Sequence, residues 1–201
     1  MRLQINENHP EPRKIAQAVK AMRQGGVVAY PTDTVYGLGC DIMQKKAIDE
    51  VYRMKRMAKD QPLAFVCRDL SNIAQWAQVD DRAYRIMKRL TPGPYCFILP
   101  ASREVPKVLM MKRKQVGIRV PDHPVPQALI AELGNPIVST SASWEGETLW
   151  DPAEIDARFK GLAMVLEVDQ TGDQPSTVID LTGDEPTLIR EGAGPADFLV
   201  G

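Results

Sequence analysis

The chain has 201 residues, 44% hydrophobic and 25% charged, which suits one large domain with a sizeable core and excludes global disorder. Its apolar runs fall far short of a membrane span, and the opening M-R-L-Q-I-N-E-N-H-P lacks a signal-peptide core. Three dispersed cysteines without C-x-x-C and only two histidines point to reduced thiols in the cytoplasm and away from a protein-bound metal.

The net charge of −1 conceals a division. Residues 1–120 hold 22 of the 25 Lys and Arg and 11 of the 26 Asp and Glu, so a part of net +11 precedes one of net −12. The basic part suits phosphate, on a nucleotide or along RNA, unless the two parts interleave in space and cancel.

In chain order, Arg2 to Asn6 reads as a first strand. Pro12 to Gln24 reads as a helix, with Ile15, Val19 and Met22 at helical spacing, closed by Gly25-Gly26. Val27 to Tyr30 reads as a buried strand stopped by Pro31. It empties into a polar loop with hydroxyls at Thr32, Thr34 and Tyr36 and a carboxylate at Asp33. Gly37 and Gly39 then suit a turn or a close approach. Gln44 to Met57 repeats the helical pattern and ends in a turn crowded with Arg53, Lys55 and Arg56. Pro62 to Cys67 is an apolar run of strand length, and Asp69 suits the cap of a short helix ending near Trp76. Asp80 to Leu90 is a further helix, with Ala83, Ile86, Met87 and Leu90 inward. After T-P-G-P comes a strand at Tyr95 to Leu99, then a short helix turn over Val105 to Met111 and a strand at Val116 to Val120. A turn at P-D-H-P-V-P leads into a helix that runs to Leu133 and closes at Gly134-Asn135. A short strand, Ile137 to Thr140, runs into S-A-S-W-E-G. A short acidic helix opens at Asp151-Pro152. Ala163 to Val168, Ser176 to Leu181 and Thr187 to Arg190 read as closing strands. Helices and strands alternate early and strands dominate late, so the expected fold class is α/β: a single domain on a twisted mixed sheet with helices.

Polar groups gather where strands or helices end: Thr32-Asp33-Thr34, Lys55-Arg56 with Lys59, Ser139 to Ser143, and Ser176-Thr177. Arg119 and Arg190 each close an apolar strand. Hydroxyls and backbone N–H groups in such places hold phosphate or carboxylate oxygens, and arginine adds a bidentate grip. The same residues read equally as solvated helix ends, capped turns and surface ion pairs. There is no G-x-x-x-x-G-K-[ST] or G-x-G-x-x-G motif, and no Cys/His or Ser/His pair is persuasively spaced. Chemistry here is expected to rest on positioning and charge neutralisation more than on a side-chain nucleophile.

Seven segments occur in one order: Y-P-T-D-T-V-Y-G-L-G-C, M-K-R-M-A-K-D-Q-P-L, T-P-G-P-Y-C-F-I-L, V-G-I-R-V-P-D-H-P, P-I-V-S-T-S-A-S, P-S-T-V-I-D and L-I-R-E-G. Together they resemble the YrdC/YciO family from about Ala16 to Gly192. The resemblance implies a large concave basic cleft and binding of RNA (tRNA, rRNA or other double-stranded RNA). In the enzyme members it implies synthesis of threonylcarbamoyl-AMP from threonine, bicarbonate and ATP, for tRNA modification. Carried over by position, Thr32, Thr34, Arg119, Thr140 and Ser176 would bind substrate. Lys55, Lys59, Ser141, Ala142, Ser143 and Arg190 would bind ATP or AMP, with Mg²⁺ arriving on the triphosphate. Arg56 and the basic knot Lys112-Arg113-Lys114 would meet RNA.

Three positions depart from the synthase pattern. The Lys-x-Arg signature reads Lys55-Arg56-Met57, the Ser-x-Asn signature reads Ser141-Ala142-Ser143, and a customary histidine is Val66. Losing a charge-assisted phosphate contact costs about 1.5–3 kcal/mol. On a continuous helix Arg56 points about 100° away from position 57, which leaves Lys59 the better replacement. The chain is therefore expected near the YciO-type branch, as a nucleotide- and RNA-binding protein with weak or no synthase activity. A working synthase is the alternative.

Overall fold

The structure is a computed structural model that describes residues 1–58, 61–106, 109, 114–169 and 171–199. Lys59, Lys112, Arg113 and most of the expected helix turn at Val105 to Met111 lie outside these residues.

The first half alternates strand and helix: β1 (Arg2–Gln4), α1 (Pro12–Arg23), β2 (Val28–Tyr30), β3 (Gly37–Asp41), α2 (Lys45–Lys55), β4 (Ala64–Val66), α3 (Asp81–Leu90), β5 (Tyr95–Pro100) and β6 (Gln115–Arg119). The second half holds α4 (Pro124–Leu133), β7 (Ile137–Ser141), β8 (Ser143–Trp144), β9 (Glu147–Thr148), α5 (Pro152–Arg158), β10 (Met164–Glu167), β11 (Thr177–Asp180) and β12 (Thr187–Arg190). Ten strands form one mixed, twisted sheet in the order β1-β10-β2-β3-β7-β4-β6-β5-β11-β12, and β8 and β9 form a separate hairpin. Among the described residues no helix is long and apolar enough to cross a membrane.

Local sequence explains these elements. Ile15, Ala18, Val19 and Met22 form the buried stripe of α1, spaced three and four apart as a helix face requires. Burying each large aliphatic side chain contributes about 1.5–3 kcal/mol. The helix stops where Gly25 takes φ 85°, a conformation that costs glycine little. Asp80 caps α3 by accepting from the Ala83 N–H at 2.7 Å. In α3 Ala83 and Met87 are buried, while Ile86 and Leu90 are only half-buried against the core. The short helix expected before Trp76 is a single 3₁₀ turn, Ile73–Gln75.

Two elements were not expected. Gly37 and Gly39 belong to strand β3, which is buried throughout. They serve close approach and not a turn: a Cβ on Gly37 would meet Tyr30 Cζ at 2.9 Å, and one on Gly39 would meet Ile137 Cγ2 at 2.5 Å. Two glycines thus let the Tyr30 ring lie flat on the neighbouring strand, with its hydroxyl donating to Ser139 Oγ at 2.7 Å. The second is the β8–β9 hairpin, turned by Glu145 and Gly146 at φ 51° and 90°, the positive pair a two-residue hairpin loop requires.

Helix α2 ends at Lys55, two residues earlier than the continuous helix to Met57 assumed from sequence. Arg56 is its cap, at φ 51°, so the geometry that would point Arg56 about 100° from position 57 does not apply. Met57 packs half-buried against the core.

Candidate functional site

A cavity of about 190 Å³ opens on one face of the sheet. Its floor follows the two-residue period of a pleated strand: Gly37 on β3, Ser139 and Ser141 on β7, Ala64 and Val66 on β4, Gly117 and Arg119 on β6, and Cys96 and Ile98 on β5. The register places them side by side, with Gly37 opposite Ser141, Ala64 between Ser139 and Gly117, and Cys96 opposite Arg119. Most of these side chains are small, and this is what leaves room above the sheet. Sequence reasoning placed ligand space at strand ends. Val66, Arg119, Ser141 and Arg190 do close their strands, and the cavity extends from them over the sheet face.

Arg119 ends β6 and lies under the loop that follows β2. Its Nη2 donates to Asp33 Oδ1 at 2.6 Å and to Thr34 Oγ1 at 2.7 Å, with Thr32 Oγ1 at 3.3 Å. Thr32 Oγ1 in turn donates to the Val35 carbonyl at 2.7 Å and accepts from the Thr34 N–H at 3.1 Å. Asp33 Oδ2 accepts the Asp122 N–H at 3.1 Å. The loop is therefore a hydrogen-bonded cage fixed to the guanidinium, and the Arg119 and Asp33 side chains are only 12% and 10% exposed. Arg119 Nε is buried without a partner among the described residues. An unpaired buried donor costs about 1–3 kcal/mol.

Arg190 ends β12 and donates through Nε and Nη2 to the Ser176 carbonyl at 3.2 and 2.7 Å, holding the cavity rim at β11. Thr32, Arg119, Thr140, Ser141, Ser176 and Arg190 all line the one cavity. Thr34 reaches it through its bond to Arg119. Tyr36, singled out in sequence for its hydroxyl, lines it too, as do Val35, Pro62, Leu63, Cys96, Pro175 and Val178, which were not anticipated, since such positions carry little chemical signal in sequence. Burial pushes the Cys96 thiol up to about 11, away from the reactive thiolate form.

Lys55 and Ser143 stand beside the cavity at Ser141. Lys55 Nζ donates to the Ser141 carbonyl at 2.9 Å and to the Ser143 carbonyl, and meets Ser143 Oγ at 2.8 Å. Burial alone pulls this ammonium down to about 8, as expected for a cation losing hydration without gaining a counter-ion. Ala142 is fully buried, and its N–H is committed to the Tyr36 carbonyl at 2.7 Å, so it positions its two serine neighbours. The Arg56 guanidinium lies 4.7 Å from the Trp144 ring, with Arg158 at 5.5 Å, in a cation–π arrangement. Lys114 is exposed, at φ 53°.

Comparison with known proteins agrees with this architecture. A Sua5/YciO/YrdC family model, described as telomere recombination, matches residues 20–192. The uncharacterized protein YciO of Escherichia coli K12 is 43% identical over 194 residues, 94% of each chain. Its crystal structure has a TM-score of 0.93, with 97% of each chain covered at 42% identity. A threonylcarbamoyl-AMP synthase of Vibrio vulnificus is 36% identical over 137 residues, 67% of this chain and 74% of that one. The P. abyssi Sua5 crystal structure in complex with L-threonine has a TM-score of 0.92 at 30% identity, covering 99% of this chain and 59% of that one. Every residue lining the cavity falls inside the span the family model matches, and the sheet beneath it is the one these relatives share: the chain belongs to the Sua5/YciO/YrdC family.

Proposed function

We propose that the cavity is a binding site for a small carboxylate and an adjoining nucleotide, in a cytoplasmic RNA-binding protein with weak or no threonylcarbamoyl-AMP synthase activity. The carrying observation is the convergence of Thr32, Arg119, Thr140, Ser141, Ser176 and Arg190, from distant parts of the chain, on one cavity. The Arg119 end, with its guanidinium and hydroxyls, suits the carboxylate of threonine, the ligand in the P. abyssi Sua5 complex. Lys55, Ser141, Ser143 and Arg190 are the candidates for the nucleotide, and Mg²⁺ would come with ATP as part of the substrate. Weak turnover is supported by Met57 packing against the core where synthases carry arginine, and by Arg56 lying against Trp144. It is supported also by Lys55 being hydrogen-bonded within its own protein at Ser143.

RNA would be held by basic side chains, with Arg56 and Lys114 as candidates among the described residues and Lys112 and Arg113 as candidates from sequence. The assay is incubation with ATP, threonine and bicarbonate, with and without tRNA, followed by detection of the adenylate and pyrophosphate. Little or no adenylate is expected, alongside threonine binding. RNA affinity should fall steeply with salt, with a log–log slope of several, as when several phosphates are neutralised. A flat salt response removes RNA from the proposal. Efficient threonine-dependent pyrophosphate release establishes instead the working synthase, a reading favoured by the intact Lys55 and Arg119 positions.

A further inference from the structure

The sequence shows no Ser/His or Cys/His pair, yet the fold brings together a lysine and two serines. Lys55 Nζ lies 2.8 Å from Ser143 Oγ, and Ser143 Oγ lies 3.3 Å from Ser141 Oγ. Ser141 lines the cavity, and Ser143 stands behind it. We propose that Lys55, Ser143 and Ser141 form a proton relay that makes Ser141 a nucleophile toward small acyl or carbamoyl esters and mixed anhydrides entering the cavity. This goes beyond the binding reading above and shares with it only the premise that the cavity admits a ligand.

The geometry defines the role of each group. A neutral lysine amine has two N–H donors and one lone pair. Two carbonyls, those of Ser141 and Ser143, take the two donors. The remaining direction faces Ser143 Oγ, so in the neutral amine the lone pair accepts the Ser143 proton. The Ser143 oxygen can then accept the proton of Ser141 across the 3.3 Å contact. Base activation of a weak nucleophile through a hydrogen-bonded pair, oriented by a third contact, is the general pattern of covalent catalysis, and Ser–Lys versions of it occur. Burial of the amine, which lowers its basicity to about 8, keeps a neutral fraction present near physiological pH. Among the described residues no charged side chain contributes to that shift. An asparagine at position 143, the synthase pattern, cannot pass a proton in this way, so the serine found here is what completes the relay.

The step balances without a further reagent. Ser141 Oγ bonds to the acyl carbon, and its proton passes through Ser143 to Lys55. The bond to the leaving oxygen breaks, and that oxygen recovers the proton by the same route. Water then attacks the acyl-Ser141 ester, regenerates the hydroxyl and releases the acid. The sum is an ester plus water giving an acid and an alcohol, or an acid and a phosphate from a mixed anhydride. Arg119 and Arg190 line the same cavity and favour substrates carrying an anionic group.

The test uses the whole chain with a fluorophosphonate probe and p-nitrophenyl acetate, read by mass spectrometry, peptide mapping and release of nitrophenolate. One adduct on Ser141 is expected, absent in Ser141→Ala. Its rate should fall about a hundredfold or more in Lys55→Met and in Ser143→Asn, within the usual range for removing a general base. In the unmodified protein the rate should rise with pH through about 8 as Lys55 loses its proton. No adduct, an adduct elsewhere, or a rate indifferent to pH and to Ser143→Asn overturns the proposal. Should Lys55→Met fail to fold, the pH profile of the unmodified protein and the Ser143→Asn rate decide. Nucleotide binding needs charged Lys55, so its affinity should fall through the same pH range. The opposite slopes separate failure of the relay from failure of the nucleotide reading.

Discussion

Replacing Arg119 by methionine removes the guanidinium that ties the loop after β2 to the sheet. The pair it forms with Asp33 is close, at 2.6 Å, and both side chains are nearly buried, at 12% and 10% exposed. Two more bonds, to Thr34 Oγ1 at 2.7 Å and Thr32 Oγ1 at 3.3 Å, go with it. Removing one partner of such a pair costs about 3–5 kcal/mol, because the remaining charge stays desolvated. Among the described residues Asp33 would keep only the Asp122 N–H. The double variant Arg119→Met with Asp33→Asn leaves no stranded charge and should recover a large part of that loss. Threonine affinity should not recover: a charged hydrogen-bond donor to the carboxylate contributes about 1.5–3 kcal/mol, or roughly tenfold to a hundredfold in Kd. Urea unfolding of the two variants measures the first quantity, and calorimetric titration with threonine the second. If Arg119→Met loses less than about 1 kcal/mol and binds threonine as before, the guanidinium neither holds the loop nor meets the ligand.

Met57→Arg combined with Ser143→Asn restores both synthase signatures, and threonine-dependent pyrophosphate release should rise about tenfold or more, one charged phosphate contact being worth that much; no gain would place the cause of weak turnover elsewhere. Gly39→Ala puts a methyl 2.5 Å from Ile137 Cγ2 and 2.8 Å from the Tyr30 ring, an overpacking expected to cost about 1–3 kcal/mol by thermal or urea unfolding, and an unchanged midpoint would show that β3 does not press on Tyr30. His123 is buried at the start of α4, where its Nδ1 accepts the Val125 N–H at 3.1 Å while Nε2 faces Glu7 at 3.4 Å. Burial lowers its pKa from the ordinary value near 6.5, so the unfolded chain takes up the proton first. Stability is then fully present above about 6.5 and lost as pH falls through the lower folded value; urea midpoints at pH 8 and pH 5 should differ, and the His123 part of that difference should vanish in His123→Leu.

How much of this was legible in the sequence depends on what each residue signals locally. The helix Pro12–Arg23 was plain because four buried positions repeat at helical spacing and Gly25 closes them. Strand β3 was hidden because G-L-G-C-D carries the residues of a turn. The reason for its glycines is the ring of Tyr30, which only the folded pairing of β2 with β3 brings there. The hairpin at Ser143 to Thr148 was missed because its loop places Glu145, and not asparagine or aspartate, at positive φ. The extent of α2 was misjudged because no proline or glycine marks its end, and Arg56 itself adopts the left-handed cap.

The candidate site divides in the same way. Arg119, Arg190 and the threonine loop stood out as polar residues closing apolar strands, a pattern that suits phosphate or carboxylate oxygens. The Lys55–Ser143 contact joins residues 88 positions apart, and no spacing rule reaches that far. Read locally, Lys55 is a cation suited to the end of a helix, and Ser143 is a small polar residue in a bend. The fold changes the chemistry of both: α2 ends where its last side chain meets the end of β7, and burial there turns a solvated ammonium into a weak base beside a hydroxyl. Both proposals therefore meet at one residue: Ser143 would withhold the amide expected in a synthase nucleotide site, and would supply the oxygen through which Lys55 acts on Ser141. Ser143→Asn tests the two together, since it should slow the Ser141 adduct while improving, with Met57→Arg, any adenylate synthesis.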